Sequence, residues 1–388
     1  MLDNPIYKEL GVVPVIHAAG TKTTHGGARS HPEVFKAMEL ASRSFVSIEE
    51  LNRKVGEYIA RITGAEAGMV TSGAASGVVL SMAACMTGTD IRKIRQLPNS
   101  AGMKDELIVQ KIHVGSYCRM YTFTGAKLIE VGNINDCLVD ELEGAITENT
   151  AAINYLLGPR ISRSGLSLKK VVDIAHKHNI PVIVDAAAML PPKTNLRRYI
   201  DEGADLVTIS GGKMIHGPQG AGLLFGRRDL IDAAFANASP NHAIGRPHKV
   251  SREEIVGLYV ALKLFMESDE AAMFLRYREK LNVVYKYLAD IEALNLEVIH
   301  DQINYNVPVL AIRFNENWKG PNPADLPKVL LQGSPRIFMQ YFKELDHLVV
   351  NSVSLQEGEA ELVGQMLKNL FIGYQETKVK EAQSEITA

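Results

Sequence analysis

A chain of 388 residues, 46% hydrophobic and 22% charged, has an ordinary globular composition and is long enough for two hydrophobic cores. Its formal charge of −2 at pH 7 gives no general attraction for nucleic acid or anionic membrane, so neither is an expected partner. No apolar run approaches the ~20 residues of a membrane span, and the start MLDNPIYKEL lacks the basic, then apolar, pattern of a signal peptide.

Three cysteines, Cys85, Cys118 and Cys137, share no metal-ligand spacing and form no even disulfide framework, so they read as reduced thiols and no metal site is expected. A cytoplasmic protein is expected from these exclusions.

Residues 1–30 read as an arm ending in the polar loop HAAGTKTTHGGAR, His17 to Arg29. Between Pro32 and Ile62 apolar residues recur at intervals of three and four, which predicts helices, and Gly64 is a plausible stop. The segment AGMVTSGAASG, Ala67 to Gly77, then predicts a strand, a turn and a helix capped near Ser72. Free amides at such a helix start suit a phosphate, although an ordinary capped helix has the same pattern. After a polar loop at 92–104, strands are predicted at Leu107–Ile112, Lys127–Val131, Ala151–Leu157 and Pro181–Val184. Helices at Tyr117–Thr124, Leu138–Ala145, Leu166–Asn179 and Leu196–Glu202 alternate with them. That alternation predicts an α/β domain with a mostly parallel sheet.

His113 falls at the carboxyl end of one predicted strand, where open α/β sheets place their ligands. Asp185 closes another, β-branched and buried in character, where an unpaired carboxylate is costly. The next run, Leu206–Ile209, stops at Ser210-Gly-Gly-Lys213, and that lysine is alone in a charge-free, glycine-rich stretch. Burial disfavours an ammonium and suits a lysine amine to form an imine with an aldehyde. Beyond Phe225 come a loop carrying His242, Arg246, His248 and Lys249, helices at Ile255–Met266 and Met273–Leu288, and strands near Leu296–His300, Val307–Phe314 and His347–Ser352. Arg336 lies in Ser-Pro-Arg-Ile-Phe, close to the last of these strands, and Glu357–Tyr374 is a final amphipathic helix. The expected division is an arm at 1–30, a large domain at 31–250, a smaller α+β domain at 251–375 and a frayed polar tail at 376–388.

A phosphate cradle at Ser72, Gly73 and Ala74, a histidine at 113, an aspartate at 185 and a lysine at 213 succeed one another in the order of a pyridoxal 5'-phosphate site. Lys213 lies 28 residues beyond Asp185, room for a strand, a crossover helix and the next strand. In that reading Lys213 binds the cofactor aldehyde, Asp185 keeps the pyridine nitrogen protonated, and His113 stacks on the ring.

The motifs HAAGTKTTHGG, TGAEAGMVTSGAASG, QKIHVGSY, GAKLIEVG, PVIVDAAAMLPP, SGGKMIHGPQGAG and IGRPHKVSREEIVGLYVAL resemble fold-type I pyridoxal phosphate enzymes of the selenocysteine synthase-related group. Within it they most resemble the D-glucosaminate-6-phosphate ammonia-lyase family. The resemblance implies a large domain with a seven-stranded, mainly parallel sheet and a smaller C-terminal domain. It also implies a homodimer or higher oligomer with sites between subunits. By motif, Lys213 matches the cofactor-binding lysine, Asp185 the pyridinium partner, His113 the ring-stacking position and the segment from Ser72 the phosphate loop. Ser210 is a further phosphate candidate, and Arg246, Lys249, Arg336 and Arg29 are cations available to an anionic substrate. Full selenocysteine synthases carry an N-terminal transfer-RNA domain; with no room for one before the arm, a small anionic amino acid or amino-sugar acid is the expected substrate.

The expected reaction is loss of a β-hydroxyl and ammonia from such a substrate, giving a 2-keto acid. An aminotransferase or racemase shares the first deprotonation, and a non-catalytic α/β binding protein with a structural Lys213 is the alternative of a different kind.

Overall fold

The computed structural model describes residues 4–159, 161 and 164–386. The chain forms two compact units, one of residues 29–268 and one joining residues 1–28 to 269–388.

The larger unit is built on seven strands: β1 Ala67–Thr71, β2 Glu106–Gln110, β3 Lys127–Val131, β4 Thr150–Leu156, β5 Val182–Asp185, β6 Leu206–Ser210 and β7 Gly222–Gly226. Their order across the sheet is β1-β7-β6-β5-β4-β2-β3. In this sheet β7 runs antiparallel to both its neighbours, and β2 to β6 are parallel. Runs such as VIVD in β5 and GLLFG in β7 are buried at every position, as expected for strands covered on both faces. The helix Gly73–Thr87 packs on the sheet through Val78, Met82 and Leu80. Its apolar residues lie all round rather than on one stripe, and nearly all of it is buried, which marks a helix enclosed by its own domain.

Helix Arg252–Glu267 belongs to this unit, running up to its end at Ser268. The boundary therefore falls after Ser268 rather than at 250, because this helix packs on Pro32–Ser42: Gly257 approaches Met38 so closely that a Cβ would stand 2.9 Å from its Cγ.

In the smaller unit an antiparallel sheet has the order Gln340–Phe342, His347–Asn351, Val309–Phe314, Leu294–Ile299. Leu310 and Val350 of that sheet join Leu281 and Val284 of helix Glu270–Leu288 and Leu367 and Phe371 of the last helix in one core. The arm contributes a strand, Val15–His17, which pairs in parallel with Arg336–Phe338. Its three residues are too few to carry a period-2 signal. The last helix continues to Ile386, so the backbone of the expected frayed tail is helical as far as that residue.

The end of the sheet away from the strands' carboxyl ends is tied by Asp205, which precedes β6. Its carboxylate accepts hydrogen bonds from the Val182 amide (2.8 Å), the His176 Nε2 (2.8 Å) and the Arg227 guanidinium (3.1 Å). A buried carboxylate is tolerated when such partners replace water. Asp205→Ala should lower stability by about 2–4 kcal/mol in urea unfolding, since it orphans a buried amide and removes charged hydrogen bonds. Asp205→Asn, which keeps an acceptor, should lose less; equal stability of all three proteins would contradict this role.

Candidate active site

Strands β4, β5 and β6 deliver the site at their carboxyl ends. Asp185 is the last residue of β5 and only 5% exposed. One carboxylate oxygen accepts the Ala187 amide at 3.1 Å. Burial raises the Asp185 pKa, while that amide and the charge of Lys213 oppose the rise. Lys213 responds in the mirror sense: burial lowers its pKa and Asp185 partly restores it. Each charge thus opposes the effect of burial on the other.

Lys213 sits on a closed loop. The Gly217 amide donates to the Gly211 carbonyl at 2.9 Å, the Gly211 amide to Ala221 at 2.9 Å, and the His216 amide to the Lys213 carbonyl at 3.0 Å. A Cβ on Gly212 would stand 2.7 Å from the Gln219 Cα. Glycine is required there by the closeness of the two chain segments.

The loop before helix Gly73–Thr87 meets the same end of the sheet. Gly73 has φ +75°, a left-handed conformation in which glycine is unstrained. A Cβ on Gly222 of β7 would stand 2.7 Å from the Ala74 amide nitrogen, so the loop lies flat against β7. Ser72 precedes the helix without its side chain capping it. Ser76 in the first turn is buried, and its hydroxyl has no hydrogen-bond partner among the described residues.

His113 lies in the short turn Lys111–His113 that succeeds β2, which ends at Gln110 rather than Ile112. It is 3% exposed and packs edge-on to Tyr155 of β4, with ring centroids 4.6 Å apart. Its Nδ1 is buried without a hydrogen-bond partner among the described residues, and burial pushes its pKa down to about 4. Tyr121, whose pKa burial raises further with help from the Asp185 charge, donates to the Asn154 side chain at 2.7 Å. Thr208 of β6 donates to Leu223 and Ala74 carbonyls, and the helix passes it so closely that a Cβ on Gly77 would come within 2.2 Å of its hydroxyl.

Tyr155, Tyr121, Asn154, Thr208 and Ser76 do not stand out in the sequence. Their only signal there is position: they lie within strands or in the first turn of a helix, among residues that read as core.

The candidate cations are dispersed. Arg246 and Lys249 line a cleft of about 620 Å³ with Arg95 and His242, and Ile94, Leu97 and Pro247 complete much of its wall. Lys213, Asp185 and His113 are not among the residues lining it. Arg29 joins the lysine loop through its carbonyl, which accepts from His216 Nδ1 at 2.9 Å. Arg336 belongs to the smaller unit, exposed at the start of the strand paired with Val15–His17. Ser210 ends β6, half-buried.

The family model described as "SelA: L-seryl-tRNA selenium transferase" matches residues 33–307. A 5'-C-glycyluridine monooxygenase-decarboxylase from Streptomyces is 32% identical over 95% of this chain and 92% of its own length. A D-glucosaminate-6-phosphate ammonia lyase from Salmonella typhimurium is 31% identical over 94% of this chain and 97% of its own. A solved structure of D-glucosaminate-6-phosphate ammonia-lyase superposes with a TM-score of 0.84 at 29% identity, covering 97% of this chain and 99% of that one. The chain belongs to the L-seryl-tRNA selenium transferase (SelA) family. It is an enzyme of the pyridoxal phosphate fold-type I class, as expected from the motifs, and pyridoxal 5'-phosphate is its cofactor. Among the described residues no helix is long and apolar enough to cross a membrane.

The residues present fit that cofactor. A half-buried lysine amine and a buried carboxylate influence each other's protonation, and the His113 Nδ1 and Ser76 hydroxyl are orphaned among the described residues. A Cβ on Gly73 would meet nothing nearer than the Gly220 carbonyl at 4.0 Å. The last observation leaves open space beside the amides of a helix start.

His113 also links the site to stability. Its pKa of about 4 lies below the ordinary histidine value of 6.5, so the unfolded chain binds more protons between these pH values and stability falls as pH falls through that window. His113→Phe should therefore reduce the loss of stability between pH 7 and 4.5 by about 2 kcal/mol, read from urea midpoints at the two pH values. An unchanged pH slope would mean that His113 titrates normally in the folded protein.

Proposed function

We propose that the protein is a lyase that removes the β-hydroxyl and ammonia from a hydroxylated, anionic amino acid resembling D-glucosaminate 6-phosphate, leaving a 2-keto acid. The observation that carries this reading is the coupling of half-buried Lys213 with buried Asp185 at the strand ends in a chain 31% identical to an ammonia lyase over nearly its full length.

When bound, pyridoxal phosphate supplies an aldehyde that takes the substrate amine and a ring that accepts the electron pair of the α-carbon. Lys213 holds the cofactor before the substrate arrives and then takes the α-proton. Burial serves the second task, since a depressed pKa leaves a larger fraction of the amine unprotonated near neutral pH. Asp185, ionised, would hold the pyridine nitrogen protonated, which would give its buried carboxylate a partner. His113 would stack on the ring. The amides of Ser72, Gly73 and Ala74, with the hydroxyls of Ser76 and Ser210, hold the phosphate.

Arg29, Arg246, Lys249 and Arg336 are the cations proposed for the substrate carboxylate and phosphate. For Arg246 and Lys249 the support is a shared cleft with Arg95. A homo-oligomer in which that cleft faces a neighbouring subunit's site is part of the proposal. A cytoplasmic location and a substrate free of nucleic acid agree with the near-neutral charge.

A second reading, oxidative decarboxylation of an amino acid, draws on the 32% identity to a monooxygenase-decarboxylase. Ammonia release without a keto-acid acceptor, at the same rate with and without oxygen, is expected of the lyase. Turnover that needs oxygen, or that needs an acceptor, would count against it. Lys213→Ala should abolish the visible absorption that develops on adding pyridoxal phosphate and lower kcat by at least ~10³-fold. Asp185→Asn should keep the absorption and still lose about 10²–10⁴-fold in kcat. Near-normal turnover in either variant would remove that residue from the proposed chemistry.

A further inference from the structure

His216 stands three residues beyond Lys213 and has no part in the chemistry above. Its backbone is left-handed, with φ +56°; the other described non-glycine residues with positive φ are Asn179, Gln302 and Asp346. That conformation is uncommon for any residue with a Cβ. His216 adopts it within the closed loop that carries Lys213, where its own amide donates to the Lys213 carbonyl.

The side chain gives a reason. Nδ1 meets the Arg29 carbonyl oxygen at 2.9 Å; a carbonyl only accepts, so Nδ1 carries the proton and donates. One residue on, the Ser30 hydroxyl donates to the Gly217 carbonyl at 3.0 Å. Adjacent residues 29 and 30 are thus bonded to adjacent residues 216 and 217, 187 positions away in the chain. Two bonds between consecutive residue pairs define a direction as well as a point of contact. Burial lowers the His216 pKa, and its bond to the Arg29 carbonyl opposes that fall.

We infer that His216 is a positioning residue: its imidazole, with the Ser30–Gly217 bond, clasps residues 29–30 onto the lysine loop and so sets where the Arg29 guanidinium meets an anionic substrate. The role given to Arg29 rests on the ammonia-lyase reading; the clasp itself does not. A glycine at 216 would relieve the backbone and remove the donor. An asparagine tolerates the left-handed conformation and keeps a side-chain N–H.

The test compares wild type, His216→Gly and His216→Asn as full-length, cofactor-loaded protein. His216→Gly should melt at or above the wild-type temperature, which excludes misfolding as the cause of any change in proteolysis or kinetics. Trypsin should cut the Arg29–Ser30 bond at least tenfold faster in His216→Gly, as measured by mass spectrometry of the fragment beginning at Ser30. For ammonia release, KM for D-glucosaminate 6-phosphate should rise about tenfold while kcat and the cofactor absorption change less than threefold. His216→Asn should recover most of both effects. An unchanged tryptic rate in His216→Gly, or an unchanged KM in a wild type that does release ammonia, would overturn the inference. If wild type releases no ammonia, the lyase reading falls, and the tryptic comparison still decides the clasp.

Discussion

A buried carboxylate, Asp185, and a half-buried amine, Lys213, that influence each other's protonation are the constraint around which the larger unit's strand ends are arranged. Neither the Asp185 carboxylate nor the Lys213 amine is well solvated, and each shifts toward its neutral form because of burial while restraining the same shift in the other. Such a pair is seldom a net source of stability, since the desolvation of two ions roughly offsets their attraction. Its place at the carboxyl ends of β5 and β6 is therefore better explained by chemistry than by stability: in the proposed site the cofactor would offer a cationic ring nitrogen to Asp185 and an aldehyde to Lys213.

The surrounding fold holds those groups beside the start of helix Gly73–Thr87, the proposed phosphate cradle. Glycines stand where chain segments approach too closely for a Cβ: Gly212 against Gln219, Gly222 against Ala74, and Gly77 against Thr208. Through these contacts the helix start, β7 and the lysine loop become one rigid frame. Asp205 ties the opposite end of β6 to β5 through the Val182 amide, so the strand that presents Lys213 is held at both ends.

Much of this was legible in the sequence because β-branched and apolar runs interrupted by glycine mark parallel strands and their turns. Asp185 and Lys213 were conspicuous as charges where apolar chemistry prevails. Other features left little trace. β7 is short and glycine-bounded, and its five residues read as the far side of a turn. Val15–His17 becomes a strand only by pairing with Arg336–Phe338, more than three hundred residues away. Thr208 and Ser76 are small residues that pass for packing, and the His216–Arg29 bond is a long-range contact no local pattern encodes. The cations proposed for the substrate were the least legible: lysines and arginines are common on surfaces, and the fold gathers Arg246 and Lys249 with Arg95, a residue of the polar loop at 92–104.

Lys213 is the residue on which the proposed cofactor attachment and proton transfer both depend. Borohydride reduction of the pyridoxal phosphate-loaded protein, with peptide mass spectrometry of the product, locates the covalently held cofactor directly. A reduced pyridoxyl group on Lys213 alone is the expected result. Labelling of another partly buried lysine, such as Lys193 or Lys280, or of no lysine at all, would contradict it.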